Sequence, residues 1–348
     1  MQMSSPQMKP VGAYPPPELV PIRTAPTWAG ELGDDLVDLT QEQALIGKDD
    51  PRFRDTDPLA LFTEWLGPGD SSTKPDHQPS SSGFHPKGVR VFRPSSGPRR
   101  LKIDVLRYAT EIRIGYTIDG ERALLTRLAD FDVEILPSFL SMREFARRLT
   151  QAHKPVATWL HTTGGHVGAE SHHERTLMTI ADFHPAVHSI CGQPFTLLWP
   201  AGAPLQSHTP DVVVMGPTNR PLVIDVRTPA GSVDPTWVRK VPEIAKALQA
   251  LGMGYAIWTG MSRPYRRNLE NLTEAFVSAD SYEQWSLAAR ALCDGPMTAH
   301  ELADRLDASG YQRLWSLTLI RRMLWRHALH TDMFSPYTQR SIVWRHDA

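Results

Sequence analysis

The chain has 348 residues, enough for two domains and a sizeable core. Its 37 basic and 38 acidic side chains nearly cancel, which excludes a global basic field, so nucleic-acid contact must rest on local patches. No apolar run approaches the roughly 20 residues that cross a bilayer, the first residues lack the basic and apolar regions of a signal peptide, and Cys191 and Cys293 have no metal-type spacing. A cytoplasmic protein without a membrane partner or a disulfide framework is therefore expected.

Residues 1–100 hold 15 of the 30 prolines, and the Ser/Pro/Gly-rich run 71–98 cannot build a packed core. This arm is expected to be largely disordered. Within it, Asp57–Trp65 reads as a transient turn, with a short partner-docking helix as the alternative. The basic clusters Arg90–Arg93 and Arg99–Lys102 either touch phosphates or solvate the arm.

Residues 101–150 read as an ordered extension. Ile112–Ile118 and Arg122–Leu128 form a hairpin across the turn dipeptide Asp119-Gly120. A strand is expected at Val133–Leu136. Ser141–Leu149 reads as a helix opened by a capping box of Ser141 and Glu144, with Arg143, Arg147 and Arg148 on its surface.

Residues 151–275 carry the chemistry. Gly164, Gly165 and Gly168 are expected to break the chain before a helix from about Glu170 to Asp182. On that helix Glu170 and Glu174, four apart, would share one face. An apolar strand follows at Pro194–Trp199. Val212–Met215 and Leu222–Val226 are two further apolar runs, joined by the turn formers of 216–221, and read as a hairpin. Alternation along the second run puts Asp225 on the face of Val223 and Arg227, while Asp211 stands at the mouth of the first. Two carboxylates on neighbouring strands, with a cation two residues past the second, suit a divalent metal and a phosphate. An ordinary surface hairpin with one salt bridge is the alternative.

A helix from Asp234 to Leu251 follows, capped by Asp234 and divided at Pro242, and then a strand at Tyr255–Trp258. Eight of the 14 histidines fall between His153 and His208, but carboxylates are the better ligands for a hard cation. Residues 262–280 read as a connector. Residues 281–348 read as a separate module: helices at Tyr282–Leu292, Thr298–Leu306 and Leu314–Ala328, and a strand at Ser341–Trp344, a pattern of winged-helix type. From residue 309 onward six arginines face two aspartates, a bias that supports DNA contact, with protein contact as the alternative.

Taken together, Thr162–Arg175, Asp182–Val187, Gln193-Pro-Phe195, His208-Thr-Pro-Asp211 and Ile224-Asp-Val-Arg227 resemble the TnsA-like endonuclease subunits of heteromeric transposases, of actinobacterial type. The likeness spans about residues 140–345. It implies an α/β fold with a restriction-endonuclease-like mixed sheet, of the PD-(D/E)xK type, followed by the winged-helix-like module. It also implies Mg²⁺ or Mn²⁺ held by Glu174, Asp211, Asp225 and the Val226 carbonyl, with Glu170 as a secondary ligand. Arg227 stands where the family usually has lysine, and Lys240 is the nearest candidate to supply an ammonium instead. The implied partners are double-stranded DNA, a DDE-type transposase and an AAA+ ATPase. Arg321, Arg322 and Arg326 are expected to touch DNA or a partner. A nuclease-inactive scaffold and a restriction or antiphage nuclease remain the alternatives.

Overall fold

The computed structural model describes residues 57–77, 110–120, 122–142, 156–218 and 220–345. It is a mixed α/β protein built on a four-stranded sheet. The strands are β5 (Ser189–Gly192), β8 (Val212–Met215), β9 (Leu222–Val226) and β10 (Gly254–Trp258), in the spatial order β10-β9-β8-β5. β5, β8 and β9 pair antiparallel, and β10 lies parallel to β9. Every residue of β8, β9 and β10 is buried, as largely apolar strands covered on both faces require, and Asp225 of β9 is buried with them.

Helices supply the cover. α2 (His172–Phe183) packs on β5, β8 and β9, and α5 (Val241–Ala250) connects β9 to β10 and packs on β10. Pro242 divides the predicted long helix: α4 (Pro235–Val238) ends before α5 begins. An added turn, α3 (Pro229–Ser232), follows β9 with Thr228 as its cap. The hairpin across Asp119-Gly120 forms as expected, from β1 (Arg113–Tyr116) and β2 (Leu124–Arg127). It joins β6 (Phe195–Leu198) and β7 (Ser207–His208) in a second sheet.

Several expectations need correction. The glycine run does more than break the chain: Val156–Leu160 (β3) pairs with Gly165–Ala169 (β4), and Gly164, at φ +64°, makes the turn. Val133–Ser138 is a 3-10 turn, not a strand, because Asp132 caps it through the Glu134 N–H and Pro137 lacks a ladder donor. The connector at 262–280 contains α6 (Arg263–Thr273), whose buried Tyr265, Asn268, Leu269 and Leu272 form a helical stripe. The predicted helix Ser141–Leu149, with Arg143, Arg147 and Arg148, extends beyond the described residues, and Arg90–Arg93 and Arg99–Lys102 also lie outside them.

The largest correction concerns the arm. Residues 57–77 are a strap, opened by α1 (Ala60–Leu66). Phe62 is completely buried, and Trp65 donates its indole N–H to the Arg220 carbonyl at 3.2 Å. Lys74 reaches the Asp182 and His184 carbonyls at the end of α2. Proline content missed this because a few large apolar side chains anchor a segment whatever its flanks contain.

The C-terminal elements are α7 (Ala279–Leu292), α8 (Ala299–Ala308) and α9 (Arg313–Trp325), with a three-stranded sheet of Met297–Thr298 (β11), His330–Thr331 (β12) and Ile342–Trp344 (β13). Thr298 caps α8 through the Glu301 N–H, as the sequence predicts. α6 packs against both α2 and α9, so one hydrophobic core runs from the strap through the sheet to these helices. Among the described residues no helix is long and apolar enough to cross a membrane.

Candidate active site

In the β8–β9 ladder Val212 lies opposite Ile224, Val213 opposite Val223 and Val214 opposite Leu222. Continued by one residue, that register sets Asp211 across from Asp225. Asp211 Oδ2 accepts the Val226 N–H at 2.7 Å, which fixes its carboxylate against the neighbouring strand. From the other side, the Gln193 N–H donates to the Asp211 carbonyl at 2.8 Å.

Glu174 arrives from the first turn of α2. Its N–H donates to Ser171 Oγ at 3.1 Å, and Ser171 Oγ donates to Glu174 Oε1 at 3.0 Å. The Glu170 N–H donates to Glu174 Oε2 at 2.9 Å. Glu170 thus precedes the N-cap, and the shared helical face predicted for the pair does not exist. Ser171 ends the extended segment one residue too late for Glu170 to be helical.

Electrostatics tie the acids together. Burial, with the charge of Asp211, pushes Glu174 up to about 8. Burial, with the charge of Asp225, pushes Asp211 up to about 7. Asp225 goes the other way. Burial alone would raise it, but His208 and Tyr255 outweigh that and hold it below the usual carboxylate range. His208 Nε2 lies 2.9 Å from Asp225 Oδ2, and the Tyr255 hydroxyl donates to the same oxygen at 2.6 Å. Asp225 Oδ1 is buried without a partner, an arrangement costly for a carboxylate unless something else meets it.

Arg227 closes the group. Its N–H donates to the Trp258 carbonyl at 2.9 Å, and its own carbonyl lies 3.1 Å from His173 Nε2. Its guanidinium sits 3.7 Å from the Trp237 ring centroid. Asp234 caps α4 through the Thr236 and Trp237 backbone N–H groups, which fixes the turn that carries that ring. His208 stands beside it at 5.8 Å between ring centroids.

The donor set fits a hard divalent cation in kind. All three acids offer oxygen, one buried oxygen has no partner, and two of the carboxylates are raised partly by neighbouring negative charge. The ring is open, however: among the described residues, no three His, Cys, Asp or Glu side chains are grouped to hold an ion. Val226 takes part through its N–H to Asp211.

Other predicted residues lie elsewhere. Lys240 is exposed at the start of α5. Arg321 donates to Asn271 Oδ1 at 2.9 Å on α6. Arg322 is completely buried and paired with Asp76, which overturns its assignment to DNA or partner contact. Arg326 is 3.4 Å from the same carboxylate and lies over Tyr282. A count of charges along the chain could not see an acid supplied by the strap.

Sequence reasoning assigned no role to His208, Tyr255, Trp237 or His173. His208 had one weak signal, its place three residues before Asp211. Tyr255 had another, as the one hydroxyl in the run Gly254–Trp258. No family model matches this chain, and a search of curated proteins finds no match.

Proposed function

We propose that this chain is a metal-dependent DNA endonuclease subunit of a heteromeric transposase, of the TnsA-like kind. One observation carries the reading. The elements α2, β5, β8, β9, α5 and β10 follow in that order, with β9 antiparallel to β8 and parallel to β10. Glu174, Asp211 and Asp225 enter from α2, the start of β8 and β9. That is the layout expected of a restriction-endonuclease-like core. The three C-terminal helices and the β11-β13-β12 sheet support a winged-helix-like module.

In this reading Asp211 and Asp225 would hold Mg²⁺ or Mn²⁺, with the Val226 carbonyl and Glu174 as the further oxygen donors. The ion supplies charge neutralisation at the phosphate and a bound water of lowered pKa. His208 and Tyr255 fix Asp225 so that Oδ1 faces outward from their bonds. Trp237 holds the Arg227 guanidinium flat, and this cation grips a phosphate oxygen. Arginine keeps its proton at any working pH, so it stabilises charge and does not act as a base. The DDE-type transposase, the AAA+ ATPase and the cytoplasmic setting belong to the same proposal.

The test is nicking of supercoiled plasmid in Mg²⁺ or Mn²⁺. Nicking that disappears in Asp211→Ala supports the reading, and no nicking with or without a partner transposase sinks it. Arg227 in place of lysine, together with the open acid ring, favours a second reading: a scaffold of the same fold that binds DNA without cutting it. A defence nuclease would share the chemistry and differ in its neighbouring genes.

A further inference from the structure

We infer that the arginine-bearing face of α2 and α6, with the shallow cleft between them, holds the phosphodiester backbone of duplex DNA beside the acidic site, through Arg175, Arg263, Arg266 and Arg267. This inference rests on the nuclease reading and names the surface by which that site holds its substrate.

The first argument is position. β10 lies beside β9, which carries Asp225, and α6 begins five residues beyond the end of β10. His173, on the first turn of α2, bonds the Arg227 carbonyl and packs on Trp258 with 4.4 Å between ring centroids. The starts of α2 and α6 are therefore joined to the same end of the sheet as the acids. α2 and α6 pack on each other, and the cleft between them is lined by Arg175, Thr176, Thr179, Arg266, Leu269 and Glu270. Arg175 follows Glu174 directly in the chain, so the cleft opens beside the acidic site.

The second argument is charge. Three of the first five residues of α6 are arginines, and its first turn has no acid. A helix N-terminus carries partial positive charge and disfavours cations. The burial stripe of α6 leaves Arg263 and Arg267 exposed, while Arg266 lines the cleft. Glu270 lies 3.5 Å from Arg266, one turn along the same helix. Cations clustered against the helix dipole, two of them exposed, suit a polyanion. Guanidinium forks match phosphate oxygens in shape as well as charge. The arginines that sequence suggested for this task are occupied: Arg322 and Arg326 by Asp76, and Arg321 by Asn271.

The experiment measures affinity of the full chain for a labelled DNA duplex, in EDTA, across a salt series. Each lost phosphate contact lowers the slope of log affinity on log salt by about 0.9. Arg263→Gln with Arg267→Gln should reduce it by about 1.8, and adding Arg175→Gln by about 0.9 more. Arg122→Gln, exposed on the turn between β1 and β2, should leave it unchanged. Thermal melting confirms that each variant is folded; substituting the exposed Arg263 and Arg267, which oppose the helix dipole, should not lower the midpoint. Wild-type slopes in all the cleft variants overturn the inference and leave the nuclease reading standing. Arginine-dependent binding without nicking in Mg²⁺ or Mn²⁺ supports the cleft and overturns the nuclease. A wild-type chain that does not bind DNA overturns both.

Discussion

Asp76 of the strap closes on Arg322 of α9, a guanidinium with no solvent exposure. The same carboxylate lies 3.4 Å from Arg326 and 3.6 Å from His161, so one acid from the arm answers three cationic or basic side chains. Arg322 also reaches His161 at 3.2 Å, and the His161 N–H donates to Asp182 at the end of α2. The pair thus joins the arm, the core helix and the C-terminal helices.

Asp76→Ala should destabilise the protein by about 3–5 kcal/mol, because it leaves a buried charge without its partner. The Asp76→Leu, Arg322→Met double variant should recover most of that loss, since an apolar pair of similar size has no charge to desolvate. Denaturant unfolding of the three proteins checks this. Equal midpoints for Asp76→Ala and wild type would show that the pair contributes nothing.

Gly254 tests the other end of the strap. A Cβ there would come within 2.5 Å of the Trp65 ring, which also carries the Arg220 guanidinium at 4.7 Å from a ring centroid. Gly254→Ala should cost about 1–3 kcal/mol by overpacking. In a Trp65→Ala background the same substitution should cost at least about 0.5 kcal/mol less. Additive effects would mean that the ring does not press on the glycine.

The acid ring predicts an unusual pH response. Glu174 and Asp211 titrate at about 8 and about 7 in the fold, whereas an unfolded carboxylate titrates near ~4. The folded chain then holds protons that the unfolded chain has lost. This contribution is complete below pH ~4 and is lost as pH rises through the folded values. His173, His184 and His327 act oppositely, since burial depresses them to about 3, about 3 and about 4. Their contribution is present above ~6.5 and lost as pH falls below it. Lys74, depressed by burial to about 8, adds an opposing rise as pH nears that value, so between pH ~6.5 and ~7.5 the acids dominate. Without metal, the melting midpoint should fall across that window. Glu174→Gln or saturating Mg²⁺ should flatten the fall, and a midpoint that rises there would contradict the acid ring.

Arg227 faces a sharper test. Its guanidinium is planar and stacked on Trp237, a fit that an ammonium cannot reproduce. Arg227→Lys should slow the proposed nicking by about tenfold or more, and Trp237→Leu should act in the same direction, each read as a single-turnover rate. A faster Arg227→Lys enzyme would show that the site tolerates arginine as a handicap.

Local sequence determined a good deal by itself. The hairpin across Asp119-Gly120, the β8–β9 hairpin, the break at Pro242 and the caps at Asp234 and Thr298 were legible because turn dipeptides, prolines and capping side chains act within a few residues. The spacing of Asp211 and Asp225 was legible for the same reason: a hairpin register follows from its turn. Tertiary structure decided what depends on partners distant in sequence. It made Asp225 an acid set by His208 and Tyr255, 17 and 30 residues away. It turned Arg322, read as a surface cation, into a buried one, because its counter-charge lies 246 residues earlier in a proline-rich arm. Charge and composition add up along the chain, whereas burial and pairing are properties of the packed whole.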